Sequence, residues 1–357
     1  MENKKIRVAI TQGDTNGVGY EVIMKALEDP TMLELCTPII YGSPKVATYH
    51  RNTLQIESNF SIINTAEEAK DMRVNMLAVI EDEVKVDMGQ PTQESAHAAK
   101  VSYEKAMEDY QKGLFDVLVT APANQESVDP KSLVVYMNED LRVALVTKDV
   151  AIKEVSEAIT EQKIVEKARL FHQSLKRDMR IANPRIAVLS LNPPSGDDGW
   201  LGEEEQEVIA PAIAALEQEG IQAFGPYAAD KIFGSGDYLH FDGVLAMYYD
   251  QGLAPFKSIV TEGSIRMTTG LPLVMTAPCH GVEYSIAGQG VADDSAMRHA
   301  IFTAIDVFRN RANYDEPLQN PLPKLYHEKR DDSEKVRFAQ PRAKDLFKKT
   351  PNTEKTE

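Results

Sequence analysis

The chain has 357 residues, a hydrophobic fraction of 43% and a formal net charge of -16 at pH 7. A chain of this length can bury a large core and is long enough for two domains. The excess of negative charge argues against a nucleic acid or an anionic membrane surface as partner, because both bind clustered Lys and Arg.

The two cysteines, Cys36 and Cys279, are too few for a disulfide framework in a chain of this size, and they favour a reducing compartment. The first ten residues are charged and run directly into a strand-like segment, without an apolar stretch of signal-peptide length. No window approaches the roughly 20 apolar residues that a membrane span requires. We therefore expect a cytoplasmic protein.

From Ile6 to Arg311, short β-rich runs alternate with longer helical patterns. Several of the runs are continuously apolar, as expected for strands that are covered on both faces. The pattern predicts an α/β protein with a mainly parallel sheet and helices on both faces. The predicted strands are Ile6–Thr11, Ile39–Tyr41, Leu77–Ile80, Asp116–Thr120, Val143–Thr147, Ile186–Leu191 and Gly243–Met247. The predicted helices are Tyr20–Leu27, Gln93–Lys112, Val155–Leu175, Glu203–Glu219 and Asp294–Arg311.

The first local motif is a turn with three glycines, Gly13, Gly17 and Gly19, between the first strand and the first helix. Glycines at a strand-to-helix turn let the backbone approach a ligand or a neighbouring helix closely. The other interpretation is a tight turn with a helix cap supplied by Asp14 or Asn16. The spacing differs from the dinucleotide fingerprint and by itself favours the turn.

Two further motifs follow apolar strands, Asn192–Gly199 and Met247–Lys257. The carboxyl ends of parallel strands are where open α/β sheets bind ligands, although turn formers also make ordinary connections there. Asp250 and Lys257 are either groups that hold a charged ligand or solvated surface charges. A fourth motif, Thr268–Pro272 with the glycines up to Gly290, predicts a loop wrapped against a ligand.

Taken together and in this order, these segments resemble the 4-hydroxythreonine-4-phosphate dehydrogenase family of pyridoxal phosphate biosynthesis. No single motif is decisive, but the set in register is specific. The matching segments are Thr11–Glu21, Thr120–Pro122, Leu141–Thr147, Leu191–Pro193, Asp250–Leu253, Gly270–Pro272 and Ala287–Gly290.

The resemblance implies the fold of the isocitrate and isopropylmalate dehydrogenases, a homodimer of two-domain α/β/α subunits with the active site in the cleft between domains. The first domain is expected to comprise residues 1–125 and 285–313. The second, with the dimer interface, is expected to comprise residues 126–284. A charged tail, residues 314–357, is predicted to be partly disordered because it is rich in Lys, Glu, Asp and Pro.

The family reaction is an NAD-dependent oxidation of a phosphorylated hydroxy amino acid followed by decarboxylation, with a divalent metal held by three histidines. In this chain the three positions hold Asp149, Pro194 and Tyr249. Proline offers no donor atom, a neutral tyrosine is a poor ligand, and one carboxylate does not make a specific transition-metal site. We therefore predict that the divalent metal is absent.

The family's phosphate-binding positions are also changed. The lysine position after Ala121-Pro122 holds Gln125, and the loop that follows is shorter and lacks the family's His. The family Asn is replaced by Arg266 and the family Arg by Met275, whereas Lys257 is retained. Methionine cannot replace the charge-assisted pair of an arginine, but Arg266 supplies a phosphate-binding fork of its own.

The cofactor positions are better preserved. His280 and Gly281 stand where the family has its adenine-contacting His-Gly, and Ala287 and Gly288 follow in register. The usual Asp of that segment is Ser285. We therefore expect NAD to bind here.

These losses predict a family relative that is inactive or strongly impaired in the family reaction. One alternative is an active dehydrogenase with a remodelled site, in which Asp250 takes the hydroxyl proton and Lys257 stabilises the developing oxyanion. The other is a regulatory protein that binds a dinucleotide or a phosphorylated metabolite. On the sequence alone, whether the chain is an enzyme stays open.

Overall fold

The computed structural model describes residues 5–80, 84–124, 129, 131–195 and 199–320. The chain divides into two compact units, Met1–Asp315 and Glu316–Glu357. Of the second unit only residues 316–320 are described. The sheet and the candidate site belong to the first unit.

The described residues form a single twelve-stranded sheet with the order β3-β4-β2-β1-β5-β12-β11-β6-β7-β10-β8-β9. The strands are β1 Ile6–Thr11, β2 Cys36–Gly42, β3 Ser61–Ile63, β4 Asn75–Ala78, β5 Val117–Thr120, β6 Leu133–Met137, β7 Arg142–Leu145, β8 Arg185–Leu189, β9 Gln222–Tyr227, β10 Gly243–Ala246, β11 Ile265–Thr269 and β12 Val274–Pro278. Every residue of β2 and of β10 is buried, as expected for strands covered on both faces.

Two sets of parallel strands point in opposite directions. The strands from β3 to β12 in the sheet order are parallel, and so are those from β7 to β9. Between the sets, β12, β11, β6 and β7 pair antiparallel to one another. The carboxyl ends of the two sets therefore lie at opposite edges of the sheet.

The helices cover this sheet, with α4 packed on β1 and β2, α6 on β6 and β11, and α9 on β7 and β10. The helices are α1 Gly19–Ala26, α2 Pro30–Leu35, α3 Pro44–Leu54, α4 Gln93–Gln111, α5 Val155–Ala158, α6 Glu161–Arg177, α7 Ala210–Gln218, α8 Ala229–Gly234, α9 Tyr249–Ile259 and α10 Ser295–Gln319. A π-helical turn, Glu205–Ile209, precedes α7. Within the described ranges, no helix is long and apolar enough to cross a membrane.

The prediction of a mainly parallel α/β sheet is confirmed. The first part of the fourth motif, predicted as a loop, lies in a hairpin of β11 and β12, with Thr268 opposite Met275. Four of the five residues of each strand are buried, among them Met267, which is fully buried. Gly270, with φ +88, is part of the turn between the two strands.

Candidate active site

Backbone hydrogen bonds and close packing with other chain segments hold the glycine turn in place. Its backbone N–H groups donate within the protein: Asp14 to Pro122 O at 2.9 Å, Gly17 to Asp14 O at 3.2 Å and Val18 to Val282 O at 3.1 Å. A Cβ on Gly13 would lie 2.5 Å from Pro122 O, and one on Gly17 would lie 2.2 Å from Val282 Cγ1. The glycines are therefore required for close packing of chain segments, which supports the turn interpretation.

A cleft of about 1140 Å³ lies beside this turn. One wall is α4, which contributes His97, Lys100 and Glu104. The opposite surface is formed by the sheet, from β1 across to β6, and includes Arg266 and Met275. A concave space of this size with several convergent polar groups is the expected form of a ligand site in an α/β protein.

Asp14 is a buried carboxylate at the rim of the cleft, with only 1% of its surface exposed. Three groups donate hydrogen bonds to it: Asn16 N at 2.9 Å, Ser95 Oγ at 3.1 Å and Tyr284 Oη at 2.7 Å. A buried charge needs such donors, since an unpaired one costs several kcal/mol, about 3 to 5 by removal of one partner. The carboxylate is therefore fixed in position by three separate chain segments.

Tyr284 continues this chain of hydrogen bonds. Its hydroxyl donates to Asp14 and accepts from Asn124 Nδ2 at 2.6 Å. Burial, and then the adjacent Asp14 carboxylate, raise the pKa of Tyr284 to about 12. The hydroxyl is therefore protonated and available as a donor at neutral pH.

The predicted cofactor residues lie in the segment of residues 280–292, which follows β12 and is tied to the first helix. Lys25 Nζ donates to Gly290 O at 2.9 Å and to Ala292 O at 2.8 Å. Ala292 N donates to Glu21 Oε1 at 2.8 Å. The first and the fourth sequence motifs are thus parts of one structural unit.

Within this segment the four residues differ in their surroundings. The His280 ring nitrogen Nδ1 donates to Gly281 O at 3.0 Å, because a carbonyl can only accept, whereas the buried Nε2 has no hydrogen-bond partner among the described residues. Gly288 has φ +79, and a Cβ there would lie 2.5 Å from Met88 Sδ. Ala287 is half-buried and Gly281 exposed. An unpartnered buried nitrogen is a group that a ligand could satisfy.

Lys257 and Arg266 lie around the same thiol, that of Cys279. Burial raises the pKa of Cys279 to about 11, and the positive charges of Arg266 and Lys257 act in the opposite direction. Arg266 is diagonal to Met275 across the β11–β12 pair, because it faces Ala277 while Thr268 faces Met275. A long side chain reaches across such a diagonal. Arg266 thus brings positive charge to the sheet face on which the family has its arginine at position 275.

Asp250 and Lys257 lie at opposite ends of α9. Both are exposed, and they are separated by two helical turns, about 10 Å along the axis. Gln251 anchors the beginning of the helix: its side chain accepts from Met247 N at 2.8 Å and donates to Ser190 O at 2.6 Å. Asp250 is therefore near one sheet edge, and Lys257 is with Arg266 near the other.

Asp149, Pro194 and Tyr249 follow the carboxyl ends of the neighbouring parallel strands β7, β8 and β10, and all three are exposed. The structure thus brings the family's metal positions to one sheet edge. Carboxylate, proline ring and phenol do not fit a site built for three imidazoles. Among the described residues no group of three or more His, Cys, Asp or Glu is arranged to hold a metal. Residues 196–198, beside Pro194, and Gln125 lie outside the described residues.

Sequence reasoning missed several cleft residues. His97, Lys100 and Glu104 lie one helical turn or two apart along α4, a spacing that could have marked a cleft-facing stripe. Lys148, next to the singled-out Asp149, also lines the cleft. Tyr284 carried no signal of its own, because its partner Asp14 is far away in the sequence.

Solved structures of the same architecture define the class of protein. The chain is similar to a 4-hydroxythreonine-4-phosphate dehydrogenase from Klebsiella pneumoniae, with a TM-score of 0.71 and 25% identity over 85% of this chain and 100% of that chain. The crystal structure of the enzyme from Burkholderia phymatum gives a TM-score of 0.68 and 28% identity over 85% and 99% of the two chains. The predicted fold of these dehydrogenases is confirmed.

The family model described as "Pyridoxal phosphate biosynthetic protein PdxA" matches residues 34–132 and 128–304. A 4-hydroxythreonine-4-phosphate dehydrogenase from Bacteroides thetaiotaomicron is 52% identical over 95% of this chain and 98% of that protein. One from Prosthecochloris aestuarii is 36% identical over 85% and 97%. The chain belongs to the PdxA family.

The prediction of an inactive or strongly impaired relative is wrong. Identity of 52% across nearly the whole of both chains supports an active dehydrogenase with a remodelled site. The prediction failed because it counted the ligands known for the family at Asp149, Pro194 and Tyr249 and treated that set as the only workable one. A scaffold keeps its activity when other side chains take over the tasks of the lost ones.

Proposed function

We propose that the chain is an NAD-dependent dehydrogenase that oxidises 4-hydroxythreonine 4-phosphate. The observation that carries this proposal is the 52% identity with the Bacteroides thetaiotaomicron enzyme over 95% of this chain. A cleft beside the 280–292 segment gives the reaction a place where cofactor and substrate meet. The family's metal chemistry takes no part in the steps proposed here, because the residues at its ligand positions do not fit it.

Lys257 and Arg266 bind the phosphate of the substrate. Both act electrostatically on Cys279, and Arg266 lines the cleft. A guanidinium recognises phosphate with two parallel hydrogen bonds, which a point charge such as that of Lys257 complements. Lys257 lies too far along α9 from Asp250 for both to act on one hydroxyl, so its phosphate role is favoured over an oxyanion role.

Asp250 accepts the proton of the substrate hydroxyl. NAD bound by His280, Gly281, Ala287 and Gly288 would accept a hydride from the carbon that bears the hydroxyl, which would become a carbonyl carbon, and the Asp250 carboxylate would take the hydroxyl proton. Asp250 suits this task because it is exposed at the beginning of α9 and not engaged in an ion pair among the described residues. The length of α9 then separates the base from the phosphate.

His280, Gly281, Ala287 and Gly288 bind NAD. Support comes from the match to the family's cofactor segment and from the unpartnered His280 Nε2.

We also propose that the chain acts as a homodimer in the cytoplasm, as the family resemblance implies. Both cysteines are free, in keeping with a reducing compartment. Light scattering of the purified chain tests the dimer, which a monomeric mass at working concentration would refute.

The decisive experiment follows NADH formation with 4-hydroxythreonine 4-phosphate and, as a matched control, with 4-hydroxythreonine that lacks the phosphate. We expect turnover with the phosphorylated compound and little with the other, because the latter carries no phosphate for Lys257 and Arg266 to bind. Absence of NADH with the phosphorylated compound, at enzyme concentrations that detect single turnovers, would reject the proposed function.

A further inference from the structure

The Asn124–Tyr284–Asp14 chain of hydrogen bonds crosses from the 280–292 segment to the substrate cleft. Asp14 and Asn124 both line the cleft, whereas Tyr284 stands between the two proposed cofactor pairs, His280-Gly281 and Ala287-Gly288. We infer that Tyr284 is a positioning residue that holds the NAD-binding segment against the cleft. The inference rests on the proposed function.

The geometry suits a positioning role and not a proton transfer. Asp14 already accepts three hydrogen bonds, from Asn16, Ser95 and Tyr284, which occupy its carboxylate oxygens. The Tyr284 hydroxyl is occupied at both ends, as donor to Asp14 and as acceptor from Asn124. Such a chain of polarised bonds fixes the ring in one place.

Movement of Tyr284 is transmitted directly to the proposed cofactor groups. Tyr284 begins the short helical turn Tyr284–Ile286, and its carbonyl accepts from Ala287 N at 3.4 Å. The next residue after Ala287 is Gly288, where a Cβ would lie 2.5 Å from Met88 Sδ. A shift at the tyrosine therefore changes the backbone that is proposed to contact NAD.

Hydrogen bonds also attach the segment at its two ends. Val18 N donates to Val282 O before Tyr284, and Lys25 with Glu21 holds Gly290 and Ala292 after it. Between these ends, the Tyr284 hydroxyl makes side-chain hydrogen bonds with Asp14 and Asn124 at the cleft. Removing its hydroxyl should therefore loosen the middle of the segment and leave the ends attached.

The test is Tyr284→Phe, which keeps the ring and removes the hydroxyl, compared with Tyr238→Phe, a change to a tyrosine that packs against Phe233. For Tyr284→Phe we expect the KM for NAD to rise about tenfold, since a hydrogen bond to a charged group is lost. The kcat and the KM for the phosphorylated substrate should change less than about twofold. Tyr238→Phe should behave like the wild type.

Hydrogen–deuterium exchange of the peptide that covers residues 282–292, in protein without ligand, provides a readout that needs no turnover. Faster exchange in Tyr284→Phe together with the higher KM for NAD supports the inference. Unchanged exchange, or faster exchange with an unchanged KM for NAD, overturns it and leaves the proposed function intact. A wild type that neither binds nor reduces NAD overturns the proposed function, and this inference with it.

Asn124→Ala and Asp14→Asn complete the test. Asn124 is exposed, so its loss leaves the core intact and should produce a smaller rise in the KM for NAD. Asp14→Asn weakens the other end of the chain. Tyr284→Phe and Asp14→Asn both remove or weaken the same hydrogen bond. The KM for NAD of the double variant should therefore be no higher than that of the more severe single variant. Fully additive effects would contradict the shared role.

Discussion

Tyr284 Oη donates a 2.7 Å hydrogen bond to Asp14 Oδ2 across 270 residues of sequence. The bond joins the glycine turn that follows the first strand to the segment that precedes the last helix. Both ends of the described fold thus meet at the cleft. This contact brings two motifs that look independent in the sequence together in the structure.

The first prediction concerns the packing of the glycine turn. Gly17→Ala should destabilise the protein by about 1 to 3 kcal/mol, because the new methyl group would overlap Val282. The contacts are 2.2 Å to its Cγ1 and 2.5 Å to its carbonyl oxygen. Gly234→Ala in α8 is the control, since no atom lies within 4 Å of the new Cβ. Urea unfolding measures both, and equal stabilities would refute the packing argument.

The second prediction concerns the ion pair of Arg311 and Asp178. The side chains are 7% and 2% exposed, with Arg311 Nε 2.7 Å from Asp178 Oδ1. Arg311→Met leaves a buried carboxylate without its cation and should cost about 3 to 5 kcal/mol. Arg169→Met breaks a pair with Glu219 whose side chains are 55% and 37% exposed, and should cost less than about 1 kcal/mol. Losses of unfolding free energy in the two variants that differ by less than twofold would contradict this ranking.

The third prediction concerns pH and His50. Burial lowers the pKa of this histidine, although its Nε2 donates to Thr15 O at 2.8 Å. The folded state therefore resists protonation, so the contribution of neutral His50 is present above the unfolded-state pKa of about 6.5 and is lost as the pH falls below it. His50→Gln, which retains a donor, should melt with a weaker dependence on pH between about 5 and 7 than the wild type.

His240→Gln serves as the control for this measurement, because His240 is exposed at the surface. It should follow the wild-type melting curve at each pH. If His50→Gln follows that curve as well, burial of the imidazole does not contribute to acid sensitivity.

The fourth prediction concerns Arg266. Arg266→Met should raise the KM for the phosphorylated substrate roughly 10- to 100-fold, the expected loss for a charge-assisted hydrogen bond. Adding Met275→Arg to that variant should restore part of the affinity, since position 275 lies diagonally across the strand pair on the same sheet face. Arg185→Met, which alters a guanidinium stacked over Phe224 and Phe241, is the control. Steady-state kinetics at a fixed NAD concentration measure the KM for the phosphorylated substrate. An unchanged KM in Arg266→Met would rule out the phosphate role.

The sequence predicted the strands whose apolar runs are continuous, such as β1 and β10, because burial on both faces leaves a local signature. It did not predict β6, β11 and β12, each of which pairs with at least one strand distant in the chain, a contact that leaves no local signature. The family's site positions could be located by their flanking residues. The contacts of Tyr284, Lys148 and Arg266 could not, because a single sequence carries no record of which distant side chains meet.

Helix α9 has a consequence for the choice of substrate. A helix is stiff, so the backbone positions of Asp250 and Lys257 are held at a constant spacing. If Asp250 and Lys257 hold the hydroxyl and the phosphate as proposed, a compound one carbon longer or shorter between these groups would engage one residue and miss the other. We expect selection by molecular length to be built into this helix before any bond is broken.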